Sequence, residues 1–186
     1  MIDEQGVISI IQSDSWMMEI LKTVNSLNLP DWWVCAGFVR SKIWDTLHGF
    51  SQRTPIPDID VIYSIDKLDE KKLEGKLVSL LPDIPWSVKN EARMHIRNKM
   101  SPYFSSVDAI SKFPETATAL AVKLDETDNV ILTAPWGISD VIHFGVRPTP
   151  FFTENNERMK MYDERVAKKN WQATWDRIKV FTIELS

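Results

Sequence analysis

The 186-residue chain has 44% hydrophobic and 26% charged residues and a formal net charge of -4. That balance suits one principal domain with a sizeable core and excludes a disordered or membrane-embedded class; it also argues against a globally basic, nucleic-acid-coating protein while leaving room for a local basic patch. Cys35 is the single cysteine, which excludes an internal disulfide and a cysteine-cluster zinc site and leaves no disulfide-linked partner expected. No apolar run reaches membrane-spanning length, and Met1 to Asp14 carries acids rather than the basic start of a secretory signal, so the expected location is cytoplasmic with no membrane partner.

From the N-terminus, Ile8, Ile11, Trp16, Met17, Ile20, Leu21, Val24 and Leu27 recur at helical spacing. They predict one or two helices, with Ser13 and Asp14 as a cap or break and Pro30 as a stop. Trp32 to Ala36 reads as a buried strand closed by Gly37. Phe38, Val39, Ile43, Trp44 and Leu47 then predict a helix ending at Gly49, with Arg40, Lys42, Asp45 and His48 between them. Gly37 at this strand-to-helix turn either lets a phosphate approach the helix amides or only makes the turn tight.

After the polar loop Phe50 to Pro57 comes the strand Asp58 to Tyr63, whose alternation puts the Asp58 and Asp60 carboxylates on one face and Ile59, Val61 and Tyr63 on the other. Two close carboxylates repel unless a cation sits between them, and Mg²⁺ held by one or two carboxylates plus substrate phosphates is the usual solution. The plainer alternative is a loop-ending Asp58 and a solvated Asp60. Leu68, Leu73, Leu77, Leu80 and Leu81 form the apolar side of a second helix, with Asp69, Glu70, Lys71, Lys72, Glu74 and Lys76 facing water. Pro82 and Pro85 lead into a third strand near Trp86 to Val88. If its alternation continues, Glu91 shares the face of Lys89; a helix over Asn90 to Lys99 is the competing assignment. Lys89, Arg93 and Arg97 form either a basic edge for a triphosphate or a nucleic-acid phosphate, or a solvated helix face. His95 reads as a buried or capping imidazole.

Tyr103 to Phe113 predicts a loop and short helix ended by Pro114, and Thr116 to Leu124 with Val130 to Thr133 a hairpin across the turn Asp125 to Asn129. Ile138 to Phe144 predicts a helix, and Pro148 and Pro150 a stiff link. Glu154 to Phe181 is charged and helical in pattern, with Trp171 and Trp175 sharing a face as a packing seam. The division expected is a domain over residues 1–150 and a C-terminal helical extension over 151–186 packed on it.

Cys35-Ala-Gly-Phe-Val-Arg40-Ser-Lys-Ile-Trp-Asp45 followed by Pro57-Asp-Ile-Asp-Val-Ile-Tyr63 resembles the nucleotidyltransferases of the DNA polymerase β superfamily. The first half is similar to the start of tRNA CCA-adding enzymes, Gly-Gly-x-Val-Arg-Asp, with Ala36 for the first glycine and Ser41 for the closing Asp. Trp86 to His95, Pro114 to Ala119 and Ala134 to Gly137 resemble the uncharacterised bacterial nucleotidyltransferase-like branch. The resemblance implies an α/β (α+β) fold, a small mixed sheet flanked by helices, with N- and C-terminal helical additions. It further implies transfer of a nucleoside monophosphate from an NTP to an unknown acceptor (small molecule, RNA or protein), with pyrophosphate released and Mg²⁺ or Mn²⁺ bridging the acids and the triphosphate.

In that scheme Asp58 and Asp60 are catalytic metal ligands, and Gly37 lets the helix N-terminus meet the phosphates. Arg40 pairs with a phosphate or holds a nearby acid, and Lys89 and Arg93 contribute to substrate binding. The third acid expected after the next helix is missing from the centre of the Trp86 strand, and Glu91 is the nearest candidate. Its displacement leaves a second reading, a nucleotide-binding or regulatory module with little or no turnover. A glycosyltransferase using Asp-x-Asp ranks last, since such folds need several strands ahead of the motif.

Overall fold

The computed structural model describes residues 2–65, 69–92 and 101–183. Two helices open the chain, α1 (Glu4–Gln12) and α2 (Ser15–Asn25). Asp3 and Asp14 cap them by accepting from Gly6 N at 2.8 Å and Met17 N at 3.1 Å, the usual way to satisfy first-turn amides. Asp14 also takes a two-pronged bond from Arg53 and an ion pair from Lys42 at 2.8 Å. The predicted break is therefore a junction that ties the loop at Arg53 to the N-terminal helices.

The strands β1 (Trp33–Cys35), β2 (Ile59–Tyr63), β3 (Trp86–Asn90), β4 (Ala121–Leu124) and β5 (Val130–Thr133) form one sheet in the order β3-β2-β1-β4-β5. It is mixed: β2 and β3 are parallel, and the other pairs are antiparallel. The parallel pair is joined across α4 (Glu70–Leu80), and α3 (Gly37–Leu47) joins β1 to the loop before β2. This is the expected mixed sheet flanked by helices.

Period-2 alternation divides the sheet unequally. Val34, Ile59, Val61, Tyr63, Val88 and Val122 face the large core, which also buries α1 to α4 side chains such as Val7, Ile20, Trp44 and Leu77. Trp33, Cys35, Ile62 and Ala121 face the other way, onto a small cluster with Ile110 of α5 (Ser106–Ser111). Because this second face is thinly covered, polar residues on it remain reachable.

The edge strand β3 corrects one expectation. Glu70 and Glu74 of α4 do not only face water: their carboxylates accept from Asn90 N at 2.7 Å and Val88 N at 3.2 Å. Side chains thus occupy edge amides that would otherwise be a template for another strand.

The C-terminal part differs more. Pro150 is the first residue of a short helix, α7 (Pro150–Thr153), where its missing N–H costs nothing. The predicted long helix is α8 (Asn156–Lys169), stopped by Asn170 in the left-handed conformation at φ 44°. A 3₁₀ turn, Trp171–Ala173, follows, and β7 (Lys179–Val180) pairs in parallel with β6 (Gly145–Val146) after the short α6 (Ser139–Ile142). Trp171 and Trp175 do form a seam, though not on one helix. Both meet Trp44 of α3 edge-on, with centroids 5.7 and 5.0 Å away.

Asp45 of α3 is buried. It accepts from Thr54 N at 2.8 Å, Thr54 Oγ1 at 2.6 Å and Trp175 Nε1 at 2.9 Å. Among the described residues no helix is long and apolar enough to cross a membrane.

Candidate active site

β1 leaves the sheet through Ala36, which adopts φ 59°, ψ -120°. That is the geometry of the first central residue of a type II′ turn, where glycine dominates. Its N–H donates to Leu120 O at 3.0 Å, and its carbonyl accepts from Val39 and Arg40, so α3 starts within one residue of the sheet. Gly37 is the first helical residue, and a Cβ there would come no closer than 3.4 Å to Arg40 Nη2. The left-handed step is thus taken by Ala36, and Gly37 opens the helix.

A cleft of about 520 Å³ lies on the thinly covered face of the sheet. Asp60, Lys89 and Glu91 line its sheet side. The pairing Asp60↔Ser87 and Ile62↔Lys89 puts Asp60 and Lys89 on one face of adjacent parallel strands. Lys89 Nζ lies 3.1 Å from Asp60 Oδ1. Burial alone draws the Lys89 ammonium down, but the charge and hydrogen bond of Asp60 outweigh it and hold the ammonium above its ordinary value. Glu91, immediately after β3, is only 5% exposed. Burial first, then the negative charges of Glu70 and Asp60, push its carboxyl up to about 7 against the opposing charge of Lys89.

The opposite wall comes from elsewhere in the chain. Lys112, just after α5, and Arg158 and Arg165 of α8 line it, with Tyr103 and Phe151 as aromatic surface. The Arg158 guanidinium lies over the Phe151 ring, 3.6 Å from its centroid. Arg165 spends its Nε on Glu115, which is wholly buried. The cleft thus has Asp60 and Glu91 with Lys89 on its sheet side, and on the other three cations that each hold an acid, Lys112 with Asp108 at 3.0 Å, Arg158 with Glu154 and Arg165 with Glu115; cations of this kind suit phosphate oxygens.

Of the residues singled out from sequence, Asp60, Lys89 and Glu91 are brought together. Asp58 is exposed, one residue before β2, and its charge acts on Lys89 and Cys35. Gly37 and Arg40 are not among the cleft-lining residues. The Arg40 side chain is buried beneath the cleft: Nη1 donates to Thr118 Oγ1 at 3.0 Å, and the guanidinium lies 4.6 Å from the Trp171 ring centroid and 5.1 Å from that of Trp44. Burial lowers it to about 10. It reaches the cleft only through Thr118, a lining residue. Arg93 lies outside the described residues, as do Arg97 and His95. Cys35 is buried, and burial raises its thiol well above the ordinary value, the behaviour of an inert packing residue.

Sequence reasoning missed Lys112, Arg158 and Arg165. The signal was the spacing Arg158, Met161, Arg165 on α8, one helical stripe lining the cleft. It is indistinguishable in sequence from any charged helix face.

Among the described residues no three His, Cys, Asp or Glu side chains stand together as a ready metal cage. Asp60 lines the cleft and Asp58, two residues earlier and exposed, does not; one or two carboxylates completed by phosphate oxygens of a bound substrate are the donor set Mg²⁺ commonly takes.

A family model described as Nucleotidyltransferase matches residues 22–180. A protein solved by NMR and described as revealing a CCA-adding enzyme head domain is 36% identical, with a TM-score of 0.84 over 97% of both chains. A CCA-adding enzyme in complex with CTP is similar at 15% identity and TM-score 0.58, over 97% of this chain and 43% of the enzyme. One in complex with ATP is similar at 17% identity and TM-score 0.52, over 91% of this chain and 42% of the enzyme. At those identities the two complexes show the fold alone, and the chain spans less than half of their length. No curated protein matches the sequence.

Proposed function

The chain belongs to the nucleotidyltransferase family, and from that premise we propose that it binds a nucleoside triphosphate in the cleft and transfers the nucleotidyl group to an acceptor hydroxyl. The observation that carries the reading is the arrangement of Asp60, Lys89 and Glu91 across one cleft from Lys112, Arg158 and Arg165. The family fold, shared with CCA-adding enzymes solved with ATP and with CTP, supports an NTP as the ligand.

The chemistry follows from the roles these groups can fill. Lys112, Arg158 and Arg165 neutralise the phosphates, and the aromatic wall excludes water beside them. Glu91, poised near neutrality, accepts the proton of the acceptor hydroxyl as its oxygen bonds to the α-phosphorus. The bond from the α-phosphorus to its bridging oxygen breaks, and pyrophosphate leaves. A divalent ion held by Asp58 and Asp60, Mg²⁺ or Mn²⁺, supplies charge stabilisation at the transferring group when bound. Gly37 positions the start of α3, and Arg40 acts through Thr118 rather than on the phosphate. Arg93 stays in the proposal as a basic residue after β3. Residues 151–186 provide Arg158 and Arg165, so the C-terminal extension is part of the site and not an appendage.

The pairing of Lys89 with Asp60 favours a second reading, a nucleotide-binding or regulatory module on the same fold. Incubating the protein with labelled NTPs and candidate small-molecule, RNA and protein acceptors separates the two. Pyrophosphate release above that of an Asp58→Ala, Asp60→Ala variant supports transfer; nucleotide binding with no release supports the module.

A further inference from the structure

Lys89 is placed to do more than line the cleft. It stands on the same face as Asp60, on the adjacent parallel strand and displaced along it, and its long stem brings Nζ to 3.1 Å from Asp60 Oδ1. The Lys89 side chain is 44% exposed and that of Asp60 22%, so the ammonium touches the carboxylate and the cleft at once. Asp60 therefore already has a cation at the oxygen a divalent ion would seek. A second cation beside the ammonium meets like-charge repulsion, and among the described residues there is no third ligand to offset it.

We propose that Lys89 is a built-in counter-cation that keeps Asp60 closed to a divalent ion until a triphosphate is present, so that metal and nucleotide bind as a coupled pair. The phosphates give the ammonium other oxygens to bond, and they bring the metal ligands that the protein lacks. The Lys89 stem is flexible and its head a compact point charge, so it can exchange one anionic partner for another across a short arc. Linkage makes the coupling reciprocal: whatever factor the nucleotide adds to metal affinity, the metal adds to nucleotide affinity. The coupling with nucleotide rests on the reading of the cleft as an NTP site; the competition between Lys89 and the metal at Asp60 does not.

The test uses the full chain and its Lys89→Met and Lys89→Arg variants at pH 8. Free Mn²⁺ is followed by electron paramagnetic resonance with no nucleotide present. In a second arm, a non-hydrolysable α,β-methylene ATP analogue is titrated calorimetrically with and without Mg²⁺. K89M is expected to bind Mn²⁺ alone about fivefold to tenfold more tightly than wild type, the size of a half-exposed charge interaction, and K89R to match wild type. In wild type, Mg²⁺ is expected to tighten the analogue by about tenfold, and in K89M by a clearly smaller factor. Equal Mn²⁺ affinity in K89M and wild type, or K89R as tight as K89M, overturns the proposal, as does an absence of Mn²⁺ binding in all three. An analogue that binds none of the proteins overturns the nucleotide-site reading instead, while the Mn²⁺ arm still decides the role of Lys89.

Discussion

Ala36→Gly should stabilise this protein. The residue sits at φ 59°, ψ -120°, a region open to glycine and costly for a residue with a Cβ, with a penalty of about 1–3 kcal/mol. Two terms oppose the gain. Glycine loses more backbone freedom on folding, roughly 0.5–1 kcal/mol, and the Ala36 methyl, in a residue only 8% exposed, gives up roughly 0.5 kcal/mol of burial. The balance is a stabilisation of about 1 kcal/mol, or a Tm rise of roughly 2–4 °C for a chain of this length. Urea unfolding followed by tryptophan fluorescence, with calorimetry alongside, measures it. Ala36→Val, which adds a β-branched side chain at the same φ, should lose about 2 kcal/mol or more. An Ala36→Gly variant less stable than wild type by 1 kcal/mol would refute the reasoning, because the turn would then carry no strain to release.

Asp45→Ala should cost about 3 kcal/mol in urea unfolding, since it strands the Thr54 amide and the buried Trp175 indole N–H; a loss under 0.5 kcal/mol would show the carboxylate to be dispensable. Glu91 gives a pH signature. Its folded value of about 7 exceeds the ordinary 4.5, so the native state binds the proton more tightly. Stability is full below pH 4.5 and declines by roughly 1–3 kcal/mol as pH rises to about 7. Glu91→Gln should flatten that slope, and an unchanged pH profile would contradict the buried acid. Arg158→Met and Arg165→Met should each weaken binding of an ATP analogue by roughly tenfold, read by calorimetry. Arg165→Met should also cost stability, because it leaves buried Glu115 without its cation.

The parts of the fold that were legible in sequence are those set by one periodicity and one stop. α3 runs between Gly37 and a break at Gly49, β2 alternates Ile59, Val61 and Tyr63 against Asp60 until Ile62 is buried on the second face, and the β4–β5 hairpin is bounded by the Asp125 turn. The parts that escaped depend on partners distant in sequence. Nothing local tells that Asp45 will meet Trp175, or that Glu70 and Glu74 will reach the β3 edge rather than water. The C-terminal pattern continues past Lys169 because Trp171 and Trp175 keep helical spacing, yet Asn170 turns left-handed and a 3₁₀ turn brings both rings onto Trp44.

The site divides in the same way. Asp60 and Lys89 share a face by alternation along β2 and β3, so sequence could group them; Glu91 lines the same cleft from just past the end of β3, where a helical turn begins. The opposing wall is contributed across the fold by α5 and α8, and only packing brings Arg158 and Arg165 there. Arg40 is the reverse case. A cation one turn into a helix behind a glycine turn looks like a phosphate ligand, but Trp44 and Trp171 enclose it, and its reach ends at Thr118.

The most direct test of the nucleotide-site reading is a residue-by-residue NMR titration of the protein with ATP, CTP, GTP and UTP, each with and without Mg²⁺. Shifts should gather at Asp60, Lys89, Glu91, Lys112, Arg158 and Arg165, strengthen with Mg²⁺, and vanish in the Asp58→Ala, Asp60→Ala variant. Resonances at those six residues that stay unmoved by all four nucleotides would contradict it.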